Sequence, residues 1–245
     1  TGFTITGDYT GRGLSVASEH NVLIDNIKVT RVGGVEFVQS KARLHNSTIS
    51  HNTYSQPGGG VGILGSEVSF FNVQVDSNTS NSSGGGIYIV NNGGDSSKVL
   101  LENTSLFGNE SNDNGGGIYF NNSLRIINSL VQNNTSNNHG GGIFQNGGNL
   151  VCSYVSINNN QSNDEGGGLH STHSSLSIAN SSFENNHAQE GGGLFLSWGV
   201  NNSSTRPDTL IDCIVNNNYS LNEGGGIYLV GNRPIYAYKL QLTNN

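Results

Sequence analysis

Apolar residues in this chain alternate over short runs, and the runs themselves recur at a nearly constant interval. The last apolar residue before each Asn-rich turn reads Val29, Ile49, Val75, Leu106, Val131, Ile157, Phe183, Val215 and Leu242, at intervals of 20, 26, 31, 25, 26, 26, 32 and 27 residues. Five residues earlier every position is apolar: Ile24, Leu44, Phe70, Leu101, Ile126, Cys152, Ile178, Leu210 and Ala237. Two further back come Val22, Ala42, Val68, Val99, Leu124, Leu150, Leu176 and Ile235, with Asp208 the exception. Spacing by two is strand periodicity, since successive side chains of a strand point to opposite faces. Three residues after the reference position stands an Asn, at Asn52, Asn78, Asn109, Asn134, Asn160, Asn186, Asn218 and Asn245, with Val32 breaking the column.

Glycine runs followed at once by an aliphatic residue recur on the same schedule. They lie at Gly58 to Val61, Gly84 to Ile87, Gly115 to Ile118, Gly140 to Ile143, Gly166 to Leu169, Gly191 to Leu194 and Gly224 to Ile227, with a degenerate Gly33-Gly34-Val35 before them. Self-similarity at a period of about 20–50 residues marks a solenoid. Short strands, an Asn corner, another short strand and then glycine predict an all-β, right-handed parallel β-helix. It has about 8–9 coils of about 26 residues, three sheet faces and an inner Asn ladder. Stacked in register, identical Asn side chains hydrogen-bond along the axis. Leucine-rich repeats lack the required Leu consensus here, and the acidic nonapeptide calcium repeat lacks its Asp.

Residues 1–245 read as one β-helix domain, with 1–32 a divergent first coil and 33–245 the glycine repeats. Length variation concentrates at one corner, where loops 90–98 and 197–207 are predicted surface insertions four coils apart, about 19 Å. There is no initiator Met and no signal peptide. The chain therefore reads as an excised piece whose ends carry no cap and pair with flanking coils of the same polypeptide. Cys152 and Cys213 fall in core columns two coils apart, too far for a disulfide, and are expected to be free.

The pairing of Phe183-x-x-Asn186 with a downstream Gly-Gly-x-aliphatic resembles the polymorphic outer-membrane-protein repeat of large bacterial exoproteins. Asn46-Ser-Thr-Ile-Ser-His-Asn52 and Gly-Gly-Gly-Ile-Tyr at 115–119 and 224–228 resemble the same consensus. The resemblance covers about 33–245 and departs in its third glycine, which stands where alanine is usual, and in Val, Ile or Leu at most Phe positions. Residues 1–32 look like a pectin-lyase-type coil. The resemblance implies an extracellular or cell-surface segment, often adhesive, and no particular ligand.

Composition sharpens this. A net charge of −7 with 10 Lys plus Arg argues against a nucleic-acid partner, which needs a basic stripe. No apolar run is long enough to span a membrane as a helix. The residue after each inward aliphatic is predicted to face outward, which makes Tyr88, Tyr119, Phe144, His170, Phe195 and Tyr228 a solvent-facing stripe, with Trp198 nearby. Exposed aromatic rows bind glycans or partner proteins; stacking for its own sake is the plainer reading. Before the glycines stand Glu165, Glu190 and Glu223, with Asp164 beside the first. These are candidate ligands for a cation such as calcium, or simply a solvated acidic ridge. The seven His show no metal-ligand spacing within one coil. No catalytic constellation is evident, so no cofactor is required, although a polysaccharide lyase or hydrolase on the same fold is the enzyme alternative, and a structural spacer a third. Of thirteen Asn-x-Ser/Thr sequons, those at Asn78, Asn109, Asn134, Asn160 and Asn218 coincide with the ladder and read as structural. Asn133, between reference residue and ladder, is expected to face solvent.

Overall fold

The computed structural model describes residues 2–8, 11–18, 20–198, 207–232 and 234–245. Among them there is no helix. Their strands form three sheets in which every interstrand ladder is parallel, the arrangement of a right-handed parallel β-helix. Each coil runs along two arms of the longest sheet, crosses a two-residue strand, turns through the glycines and enters the third sheet.

The columns read from the sequence are the registers of these sheets. Val75 pairs with Ile49 and Leu106, and Val131 with Leu106 and Ile157. Phe70 pairs with Leu44 and Leu101, and Ile118 with Ile87 and Ile143. Inward residues of adjacent coils therefore lie on each other and make one continuous apolar core. Fully burying a Val, Leu, Ile or Phe side chain contributes about 1.5–3 kcal/mol, so each stacked coil adds several such increments.

Asp208, the polar break in an apolar column, is buried and bonded. Its Oδ1 accepts from the Leu176 backbone N–H at 2.9 Å and its Oδ2 from the Trp198 indole N–H at 2.9 Å. Trp198 accordingly belongs to the core, not to the surface stripe; its loop neighbours 199–206 lie outside the described residues. In the other long loop, Asn92 and Asp95 bond to each other across Gly93-Gly94. The described residues within 2–13 and 230–245 hold strands and turns.

The Asn column is a continuous buried ladder. The amide Nδ2 of each member donates to Oδ1 of the member on the next coil at 2.9–3.0 Å, from Asn52 through to Asn245. The same Oδ1 accepts the preceding member's backbone N–H. The second Nδ2 hydrogen goes to the carbonyl of the preceding coil's reference residue, as in Asn134 to Leu106. The ladder thereby pairs its own amides, the backbone N–H of each member and the reference-residue carbonyls that the corner withdraws from the sheets. At its N-terminal end, where Val32 breaks the column, the Val32 N–H still bonds Asn52 Oδ1.

Two further columns escape a reading based on burial alone. The residue just before each ladder position, and the one three before each reference residue, have left-handed φ: Asn133, Asn159, Asn185 and Asn217 in the first, Asn46, Asn72, Asn103 and Asn180 in the second. Asn is among the few residues that adopt this conformation readily.

Arg12 closes the short early coil. The 20-residue interval from Val29 to Ile49 leaves no room for a full glycine corner. The buried Arg12 guanidinium fills the gap instead, donating to the carbonyls of Gly33, Pro57 and Gly58 and lying 3.8 Å over the Tyr54 ring. Glu36 beside it supplies the counter-charge at 3.4 Å.

Cys152 and Cys213 are free and buried. Burial raises the Cys152 thiol well above its ordinary value and raises Cys213 too, although backbone contacts at Ser181 and Ile211 pull the latter back. Neither is expected to react with a thiol-specific chromogenic disulfide until the chain unfolds. Stoichiometric reaction of both in native buffer would contradict the stacking.

The five ladder sequons have buried Asn side chains, and in four of them the Ser two residues on (Ser80, Ser111, Ser136 and Ser162) is buried as well. Asn46, Asn81, Asn103, Asn133 and Asn180 are exposed instead. Folded material secreted from a glycosylating host should carry no glycan at Asn78, Asn109, Asn134, Asn160 or Asn218. Peptide mapping that finds sugar on any of those five in folded material would overturn the ladder.

Candidate functional site

The third sheet carries the aromatic column in register. Tyr88 pairs with Tyr119, Tyr119 with Phe144, Phe144 with His170, His170 with Phe195 and Phe195 with Tyr228. Ring centroids along the row are 4.9, 5.3, 4.8, 4.9 and 5.4 Å apart. Parallel strands set this spacing, because residues one coil apart lie about 4.8 Å from each other.

The row is not solvent-facing along its length. Phe144, His170 and Phe195 are only 7%, 5% and 5% exposed, whereas Tyr88, Tyr119 and Tyr228 are half-buried. The cause is the glycine corner, which brings the residue preceding each run back beside the ring of its own coil. His139 thus stacks on Phe144 at 6.0 Å and lies tilted against His170 at 5.0 Å, and Glu165 reaches His170. The more accessible rings of the row are Tyr88 and Tyr119 at one end and Tyr228 at the other, each half-buried.

The corner column places carboxylates on consecutive coils. Glu165 and Glu190 form a parallel bridge, and Glu223 follows. Their environments separate them. Burial, with Glu165, Glu223 and Asp164 around it, raises the Glu190 carboxyl. Glu165 is lowered, chiefly by its 3.0 Å hydrogen bond from His170 Nε2. The hydroxyl of Tyr228 is raised by its hydrogen bond to Glu223. Burial lowers His170 despite the Glu165 partner, which favours the neutral ring in the fold.

The sequence expectation concerns histidine spacing within one coil only, and the cluster here spans two coils. His139 and Glu165 occupy the same corner column on adjacent coils, and the fold brings them to His170. A search at one-coil offsets would have found the pair.

As pH falls through about 6.5, the unfolded chain protonates His170 while the folded chain does not, so stability is lost on acidification. His170→Phe, which copies the Phe of both neighbouring coils, removes that component. With a chelator present, the wild-type Tm should fall more between pH 7.5 and pH 5.5 than that of His170→Phe. An equal fall would show that His170 is not held neutral.

Sequence reasoning also passed over a basic strip on the outer face of the long sheet. Exposed Lys41, Arg43, Lys98 and Arg125 line shallow grooves over consecutive coils, with Glu67 bridging to Lys41 at 2.9 Å. The signal was there in the columns, since these residues stand one position before or after the inward residues Ala42, Val99 and Leu124.

Compared with protein-family models, curated proteins and solved structures, the chain matches none of them.

Proposed function

We propose that this chain is a segment of an extracellular or cell-surface β-helix that acts as a non-enzymatic adhesin, docking glycans or a partner protein on its aromatic row. The observation that carries this reading is the half-buried Tyr88–Tyr119 pair, two stacked rings 4.9 Å apart beside loop 90–98. A rigid aromatic face offers large contact area with little side-chain entropy to lose, which suits sugar rings and protein side chains alike.

A second reading, a structural spacer, is favoured by the burial of Phe144, His170 and Phe195, because a row buried at its centre stabilises coil stacking without any ligand.

The test is a glycan array with wild type, Tyr88→Ala/Tyr119→Ala and Lys98→Ala/Arg125→Ala, alongside a reducing-end and unsaturated-product assay on polysaccharides. The adhesin reading expects binding by wild type, about tenfold or greater loss in the tyrosine variant, and no product. Loss confined to the Lys98/Arg125 variant would move the ligand to the basic strip. Absence of binding to glycans and to cell surfaces would leave the spacer, and product formation would establish the enzyme.

A further inference from the structure

Three donor atoms from two adjacent coils converge beside the aromatic row: His139 Nδ1, Glu165 Oε2 and His170 Nε2, all within 4.8 Å of one another. We propose that His139, Glu165 and His170 form a binding site for a transition-metal ion of the zinc class, with Asp164 as fourth ligand. The proposal goes beyond the adhesin reading and does not depend on it.

The geometry is close to what such an ion requires. Bonds of about 2.0–2.2 Å at tetrahedral angles put neighbouring ligand atoms about 3.3 Å apart. Glu165 Oε2 lies 3.0 Å from His170 Nε2 and 3.4 Å from His139 Nδ1, and Asp164 Oδ2 lies 3.6 Å from His139 Nδ1. Closing the two imidazoles on a shared ion asks for movement of His139, the more exposed of the pair.

The site is also held in place before any ion arrives. His170 is clamped between Phe144 and Phe195, with ring planes inclined by 15° and 7°. This sandwich fixes the ring orientation, the task that outer-shell hydrogen bonds perform at other metal sites. His139 Nδ1 is buried and makes no hydrogen bond, although two carboxylates stand near it. A buried polar atom without a partner is costly, and an ion at this point supplies one.

Metal binding needs deprotonated ligands, which a carboxylate and two imidazoles supply. Coordination through Nε2 requires the ring proton to sit on Nδ1. The ring therefore changes tautomer on binding, giving up its hydrogen bond to Glu165 for a shared ion.

Two imidazoles with carboxylates suit Zn(II), Co(II), Ni(II) or Cu(II), whereas calcium takes six to eight oxygen ligands. This donor set replaces the all-carboxylate calcium site that Asp164, Glu165, Glu190 and Glu223 suggest in sequence. Glu190 and Glu223 take no part in the zinc-class site.

The experiment uses the whole chain without a histidine tag, freed of metal by chelator. Zn(II) is titrated by calorimetry, Co(II) is followed by its visible absorption, and Tm is recorded with and without each ion. Wild type should bind one Zn(II) per chain and gain Tm, with no gain from Ca(II). His170→Phe and His139→Asn each copy the residue at the same column of a neighbouring coil, Phe144 and Asn114. Each should keep its folded circular dichroism spectrum and lose Zn(II) affinity by about 100-fold or more, since even outer-shell changes cost about 10–100-fold. Glu165→Gln, isosteric at a half-exposed corner, decides the matter should either His variant fail to fold. Absence of stoichiometric Zn(II) binding by wild type, undiminished binding by the folded variants, or stabilisation by Ca(II) and not Zn(II) would overturn the site.

Discussion

Gly141→Ala should unfold the middle of the β-helix at a temperature about 6–12 °C or more below wild type. A Cβ at Gly141 would lie 2.4 Å from the carbonyl carbon and oxygen of Gln161 and 2.6 Å from the Gly167 oxygen. All three are backbone atoms of the next coil, so no rotamer change relieves the overlap. Neither coil can retreat, because Gly141 and Gly142 donate their N–H groups to Gly166 and Gly167. Overpacking a core costs about 1–3 kcal/mol when side chains can adjust. With rigid backbone on the far side the cost is about 3 kcal/mol or more, and each kcal/mol moves Tm by about 2–4 °C at this chain length. Gly11→Ala is the control. Among the described residues, nothing lies within 4 Å of its Cβ position. Its Tm should stay within a degree or two of wild type. Matching midpoints for the two variants would mean that the coils do not approach as closely as the glycine column requires.

Asn134→Ala should cost about 2–6 kcal/mol. Asn134 Oδ1 accepts two hydrogen bonds from Asn109, from its backbone N–H at 2.9 Å and its Nδ2 at 3.0 Å. Alanine strands both donors in the core and also deprives the Leu106 carbonyl of its partner. Each buried unsatisfied group costs about 1–3 kcal/mol. The adjacent Asn133 is exposed, as its place in the sequence suggests, but its φ is 53°. Alanine there would add backbone strain of its own, so the informative control is Asn133→Gly, which tolerates that φ and should change stability by under about 0.5 kcal/mol. Thermal unfolding in a host that does not glycosylate measures both. A larger loss for Asn133→Gly than for Asn134→Ala would place the ladder one residue away from where it is drawn.

The fold was legible because a parallel β-helix repeats its chemistry at every coil, so a misread residue in one coil is corrected by its neighbours. Val131, Ile126 and Leu124 need no structure to be assigned inward once Ile157, Cys152 and Leu150 stand beneath them. What stayed hidden was whatever the repeat does not average. Trp198 occurs once, next to an insertion, and was placed on the surface. Yet Asp208, a carboxylate in an apolar column, already demanded a buried donor, and an indole N–H ten residues away can provide it. The left-handed Asn columns were masked by the abundance of Asn itself. The recurrence of Asn26, Asn46, Asn72, Asn103, Asn128 and Asn180 three places before the reference residue would have revealed one of them.

The aromatic row failed differently. Alternation assigns a side chain to the outside of a sheet and says nothing about what folds back over it. Phe144, His170 and Phe195 point outward and are still covered, because the glycine corner returns His139 and Glu165 to the same face. That return builds the His–Glu–His cluster, whose members lie 26 and 5 residues apart in sequence.

Every site assignment above rests on coil-to-coil register, and a pair of engineered cysteines tests it directly in a Cys152→Ser/Cys213→Ser background. Thr135 and Gln161 are Cα partners on the short sheet. Neighbouring parallel strands hold such partners about 4.8 Å apart, within the range of about 4.4–6.8 Å that a disulfide spans. Thr135→Cys/Gln161→Cys should oxidise to an intramolecular disulfide in the native state under mild oxidant. Thr135→Cys/Asn163→Cys, displaced two residues along the chain and just past the end of that strand, should remain reduced. Equal or faster oxidation of the displaced pair would contradict the register, and with it the ladder, the aromatic row and the metal site together.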